Sequence, residues 1–245
     1  FFNNLSINHV LVNVIRVKLF VMANYLQNSL RACETLMLDM DGTLLDLAYD
    51  SFIWLEVVPK EFAKKHRVSN DVAQKKIYQY FVDMQGSLDW YCLDKWSQLL
   101  DLDVLQLHRQ HKSRINFLPG AKDFLEKVSR LEKRLLLVTN SNRDVFLLKS
   151  QITGVDQYFE KIYISHELGL PKEDQKFWFL LQQIEPFNPV TTCFVDDNPE
   201  VLKSAQKFGI KSLFHVTQPD ASTTKSQNSE FDAIKGVFEL IPLKN

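Results

Sequence analysis

The stretch Thr35-Leu36-Met37-Leu38-Asp39-Met40-Asp41-Gly42-Thr43-Leu44-Leu45-Asp46 decides how the rest of the chain is read. A short apolar run closed by acidic residues and a glycine predicts a buried strand followed by a turn. The same pattern returns twice, at Leu135-Leu-Leu-Val-Thr139 and at Thr192-Cys-Phe-Val-Asp196. Helical patterns separate these runs, over Ala121 to Glu132, Arg143 to Gly154, Glu173 to Ile184 and Pro199 to Phe208, and Lys211 to Val216 adds a further strand. Strand and helix alternating at this length predict an α/β fold, a doubly wound Rossmann-like parallel sheet. In such sheets ligands lie beyond the carboxyl ends of the strands, so the polar residues after each apolar run converge on one crevice.

Residues from about 48 to 116 interrupt the alternation. They hold helix-compatible stretches over Phe52 to His66, Asp71 to Gln85, Asp89 to Leu100 and Val104 to His111. The expected division is a core of residues 22–48 and 117–245 with a helical cap, 49–116, inserted after the first strand. A cap there would lie over the crevice, where it could exclude water and select substrates. Thr217 to Glu230, rich in Ser, Thr, Asp and Gln, reads as a surface loop.

Residues 1–21 mix apolar residues with Asn, His, Arg16 and Lys18, too interrupted to span a bilayer and without the layout of a signal peptide. They read as an N-terminal extension without a catalytic role, with Met22 a suitable start. Across the 245 residues, 29 basic and 30 acidic side chains nearly cancel, which gives no electrostatic basis for binding nucleic acid. Three widely spaced cysteines suggest neither a disulfide framework nor a thiolate metal site, and a reducing cytoplasm is the simplest compartment.

Asp39 and Asp41 end the first strand. One could attack while the other manages protons, provided the turn swings the second carboxylate towards the crevice. A carboxylate meets a phosphate dianion against charge repulsion, so a bridging cation is needed, and Mg2+ suits an all-oxygen site. Asp196 and Asp197, ending the third run, can supply further oxygen ligands. Thr139 and Asn140 offer a hydroxyl and donors for phosphate oxygens, and Lys172 offers a fixed positive charge beside them. Each of these taken alone also reads as a turn, a cap or a solvated side chain.

The ordered series Asp39-Met-Asp41-Gly-Thr43, Thr139-Asn140, Lys172 and Asp196-Asp197 resembles the four motifs of the haloacid dehalogenase superfamily of phosphohydrolases. Leu36 to Ala48, Leu88-Asp-Trp-Tyr-Cys-Leu-Asp94 with Trp96, and Gly169-Leu-Pro-Lys-Glu-Asp-Gln175 resemble its bacterial GMP/IMP nucleotidase branch. The resemblance implies an aspartyl-phosphate on Asp39, with Asp41 as the acid and then the base. It implies magnesium held by the Asp39 carboxylate, the Asp41 backbone carbonyl and Asp197, with Asp196 acting through water. It implies phosphate held by Thr139 and Asn140 and steadied by Lys172, and a purine nucleoside monophosphate as substrate. A phosphosugar phosphatase or mutase, or a catalytically silent protein on the same fold, are the alternatives. Monomer and homodimer both stay open. The aromatic residues Trp54, Tyr80, Trp90, Tyr91 and Trp96 could stack on a base or pack the cap's own core, and His66, His108, His111 and His166 lack metal-ligand spacing.

Overall fold

In the computed structural model, β1 (Thr35–Leu38) is buried along its whole length and pairs in parallel on both sides. The structure describes residues 21, 24–223, 226 and 228–241, so the reading of residues 1–21 as an extension lies, Val21 apart, outside the described residues, as does Met22. The partners of β1 are β2 (Arg134–Thr139) and β4 (Thr192–Asp196). With β3 (Lys161–Ile164), β5 (Ser212–Val216) and β6 (Asp232–Ile234) they form a parallel sheet in the order β3-β2-β1-β4-β5-β6. The strand carrying Asp39 therefore sits at the centre. The chain reverses its direction of winding between β2 and β4, the place where a parallel sheet opens a crevice.

Strand alternation sorts the apolar side chains to two faces. Leu36 and Leu38 join Leu135, Leu137 and Val195 on one face, beneath a helix at 24–32 (α1) and beneath Phe124 and Leu125. Met37 joins Leu136, Val138 and Phe194 on the other, beneath Phe177, Trp178 and Leu202. Each fully buried Leu or Phe contributes roughly 1.5–3 kcal/mol, so both faces are needed to hold a sheet with no solvated side.

Between β1 and β2 the chain forms α2 (Ala48–Phe52), a π-turn at Ile53–Val57, α3 (Val58–His66), α4 (Asn70–Met84), a 3₁₀ turn at Leu88–Tyr91, α5 (Leu93–Leu100) and α6 (Val104–Gln110). These pack a core of their own around Tyr49, Ile53, Ile77 and Trp96. That core also takes in Val145 and Leu148 from the sheet's own helices. The helices that flank the sheet are α7 (Ala121–Val128), α8 (Arg143–Thr153), α9 (Ser165–Leu168), α10 (Gln175–Ile184) and α11 (Pro199–Phe208).

Several expectations are corrected in detail. The helix expected over Phe52 to His66 is broken by the π-turn, and the one over Asp89 to Leu100 is split at Cys92, whose extended backbone separates a 3₁₀ turn from α5. The helix expected to reach Glu132 ends at Val128. The edge strands β3 and β6 and the helix at 24–32 were not anticipated; the two strands, three or four residues long and partly buried, carry little periodicity. The polar segment after Val216 is anchored over the β1 turn, since Leu47 N donates to Pro219 O at 3.0 Å and Ala221 N to Asp46 Oδ1 at 3.1 Å. Among the described residues, no helix is long and apolar enough to cross a membrane.

Candidate active site

Beyond β1 the backbone folds into a tight turn in which Met40 O accepts from Leu44 N and Leu45 N at 2.9 and 2.8 Å. Gly42 makes this turn possible. Its φ is +81°, and a Cβ there would lie 2.5 Å from Asp197 Oδ2, so glycine is required both for the left-handed backbone and for the approach of Asp197. Beyond β2, Asn142 caps α8 by accepting from Asp144 N at 2.9 Å. Beyond β4, Asn198 does the same for α11 by accepting from Glu200 N at 2.9 Å. Three strand ends thus turn at one place.

There the carboxylates of Asp39, Asp196 and Asp197 come together, each offering an oxygen within 4.8 Å of the others. Lys172, buried, donates to Asp39 Oδ1 at 2.5 Å, to Asp196 Oδ2 at 2.7 Å and to Val138 O at 3.1 Å. All three of its protons are used. Burial opposes its charge, yet Asp196 and Asp39 outweigh burial and hold the amine above its ordinary pKa. Burial pushes Asp39 up to about 7, against the pull of Lys172 and with the repulsion of Asp196. Asp197 is raised well above the ordinary carboxylate range, by burial first and then by Asp196 and Asp39. Three crowded carboxylates facing one ammonium form a hard-oxygen donor set with unbalanced negative charge, which fits a divalent cation such as magnesium.

The structure brings all the expected residues to this end of the sheet, where the side chain of Asn140 is engaged within the chain. Asn140 spends its carboxamide on the chain around Lys172, accepting from Lys172 N at 3.0 Å and donating to Glu173 Oε2 at 2.9 Å. Its side chain is therefore a brace for the lysine. Thr139 Oγ1 accepts from Ser141 N at 3.1 Å, and its O–H can still donate to a substrate oxygen. The Asp41 side chain stands outside the three-carboxylate cluster and accepts from Lys149 Nζ at 2.7 Å. Only its backbone carbonyl is left as a candidate ligand.

Sequence reasoning missed Lys149, Asp50 and Glu173. Lys149 is a signal in hindsight, because it stands four residues after Val145 on the buried stripe of α8, where a charge is out of place without a partner. Glu173 follows Lys172 directly and accepts from Tyr91 Oη at 2.9 Å, tying the helical segment to the sheet.

A cavity of about 490 Å³ opens from Asp39, Asp41 and Lys172 towards the helical segment, where Trp54, Leu55, Phe81, Trp90, Tyr91 and Trp96 form its wall. The rings interlock, Trp54 with Trp96 at 5.0 Å and Phe81 with Trp90 at 5.3 Å between centroids. Trp54, Trp90 and Trp96 pack the segment's core and also line the cavity, and Tyr91 lines the cavity without belonging to that core. Tyr80 packs against that core without lining the cavity. His108, buried beside Tyr49, is pushed down to about 3 by burial and by Lys149, so it stays neutral.

A family model described as haloacid dehalogenase-like hydrolase matches residues 36–215. The chain is 34% identical over 209 residues to the GMP/IMP nucleotidase YrfG of Escherichia coli (strain K12), across 85% of this chain and 94% of that protein. Among solved structures it is similar to a HAD phosphatase from Thermococcus onnurineus, with TM-score 0.71 and 20% identity over 84% of this chain and 95% of that one. A predicted phosphoglycolate phosphatase from Haemophilus somnus superposes with TM-score 0.63 and 15% identity over 85% and 96% of the two chains. At such identities the solved structures speak for the fold alone.

Proposed function

Since the chain belongs to the haloacid dehalogenase-like hydrolases, we propose that it is a magnesium-dependent phosphomonoesterase acting through an aspartyl-phosphate on Asp39, and a 5'-nucleotidase for purine monophosphates. The observation that carries this is Asp39 at the end of the central strand, hydrogen-bonded to Lys172 and facing the same cavity as Asp41. An Asp39 oxygen attacks phosphorus as the bond to the leaving oxygen breaks, and Asp41 gives that oxygen a proton. Asp41 then takes a proton from water as the water oxygen bonds to phosphorus and Asp39 is released. Lys172 favours the ionised form of Asp39 against burial and sets its direction, and the Thr139 hydroxyl holds a phosphate oxygen. Asp39, Asp197 and the Asp41 carbonyl would hold magnesium, with Asp196 behind them, and the ion would screen the charge between carboxylate and phosphate.

Residues 49–116 act as the cap that selects the substrate, over a core of residues 22–48 and 117–245. Their contribution to the cavity is a wall of flat, apolar rings, suited to stacking on a purine. A sugar phosphate would need hydroxyl partners along that wall, where Trp54, Phe81 and Trp90 stand. The likeness to a GMP/IMP nucleotidase along most of the chain favours the same choice. Cys33, Cys92 and Cys193 are free thiols, which suits a reducing cytoplasm.

The test is phosphate release from GMP, IMP, AMP and hexose phosphates with magnesium and with chelator. Asp39→Asn is expected to abolish release while circular dichroism stays unchanged. Undiminished release by that variant would remove the nucleophile from the proposal. Equal turnover of hexose phosphates and purine nucleotides would remove the nucleotidase reading.

A further inference from the structure

Lys149 is buried among the apolar side chains of the core, with 1% of its surface exposed. Its ammonium donates to Asp41 Oδ1 at 2.7 Å and to the two oxygens of Asp50 at 2.8 and 2.7 Å. Asp50 lies on α2, at the entry to the helical segment, and Lys149 on α8, behind the second strand. The nucleophile's own cation, Lys172, is a different residue with a different carboxylate set. Two separate lysines thus hold the two aspartates of the Asp39-Met40-Asp41 turn.

A buried amine with two carboxylates is a costly way to gain stability, because desolvation offsets most of the attraction. What the arrangement does secure is direction. Asp41 sits on a turn, and one of its oxygens is fixed by Lys149 whether the other is protonated or not, since a carboxylic acid's carbonyl oxygen accepts as a carboxylate does. The second oxygen is left for the proton that moves. Lys149 is itself placed by the helical segment. Its neighbours Val145 and Leu148 belong to that segment's core, and its ammonium lies 5.4 Å from the Tyr49 ring, whose hydroxyl is bound to His108.

We infer that Lys149, held by Asp50, is a positioning residue that aims Asp41 at the leaving-group oxygen, and that it makes this aim depend on the helical segment being seated. This rests on the reading of Asp41 as the proton donor. Lys149 transfers no proton and touches no substrate. Its effect on formation of the aspartyl-phosphate, the step that kcat/KM reports, is therefore confined to leaving groups that need a proton.

The experiment compares kcat/KM for inosine 5'-monophosphate, whose alkoxide must be protonated, with that for p-nitrophenyl phosphate, whose phenolate leaves without one. Lys149→Met is expected to lower the first about tenfold or more beyond the second, a fraction of what a general acid contributes. Asp41→Asn is expected to show the same selectivity more strongly, and Lys149→Arg to restore most of the nucleotide rate. If Lys149→Met does not fold, the double variant Lys149→Met, Asp50→Asn removes the amine with one of its counter-charges and is expected to keep the selectivity. Equal losses on both substrates in the lysine variants, with Asp41→Asn still selective, would make Lys149 a structural residue and overturn the inference alone. Loss of selectivity in Asp41→Asn itself would overturn the role of Asp41 and the inference with it.

Discussion

Asp197 and Gly42 are matched at the level of single atoms. A methyl group at residue 42 would overlap the Asp197 carboxylate and would also sit on a backbone with φ of +81°. Gly42→Ala is therefore expected to cost roughly 1–3 kcal/mol of stability and to push Asp197 out of the three-carboxylate cluster. A thermal melt would read the first effect. Raising the magnesium concentration needed for half-maximal activity would reveal the second, and a variant with unchanged metal demand would contradict it. Asp39, Asp41, Thr139, Lys172, Asp196 and Asp197 were all legible in the sequence, because each follows an apolar run or stands in a motif of fixed order. Lys149 and Asp50 were not. Their meaning depends on a contact between two helices far apart in the chain, and neither stands in a motif by itself.

Helices and strands carry the next set of consequences. The 3₁₀ turn Leu88–Tyr91 reaches across to the loop before α10 through one hydrogen bond, from Tyr91 Oη to Glu173 Oε1. Glu173 also accepts from Asn140, so the helical segment, the Lys172 loop and the end of β2 meet at one carboxylate. Burial, followed by the charge of Glu173, holds the Tyr91 phenol above its ordinary pKa, so it remains a donor through the neutral range. Tyr91→Phe removes a hydrogen bond to a charged acceptor, worth about 1–2 kcal/mol, and a five- to thirty-fold rise in KM is expected with kcat changed less. Steady-state kinetics on a nucleotide substrate checks this, and a fall in kcat at constant KM would argue against a closing contact. That β1, β2 and β4 belong to one parallel sheet was readable from alternating strand and helix patterns, whereas their order in it was not. The π-turn at Ile53–Val57 was not, since one extra residue per turn leaves the hydrophobic spacing nearly unchanged.

For the molecule as a whole, the acidic cluster links stability to pH. Asp39 is raised to about 7, and Asp196 and Asp197 are raised as well, in each case by burial first. Their folded pKa values lie above the unfolded carboxylate value of about 3.9, so the folded state binds more protons between the two. Metal-free protein therefore loses stability as pH rises from about 4 through 7. A bound divalent cation offsets the repulsion, and the gain in melting temperature on adding magnesium is expected to be larger at pH 8 than at pH 5. Differential scanning fluorimetry with magnesium and with chelator at both pH values measures it, and equal gains would refute the link. The central place of β1 has another consequence, for the order of events during folding. Its two neighbours arrive only after the whole helical segment, and then after β3 and α10, have been synthesised. Closing loops of such length before any contact rewards them slows a chain. Until β4 docks, Asp39 has no Asp196 or Asp197 beside it, so cation binding would serve as a clock for the arrival of that strand.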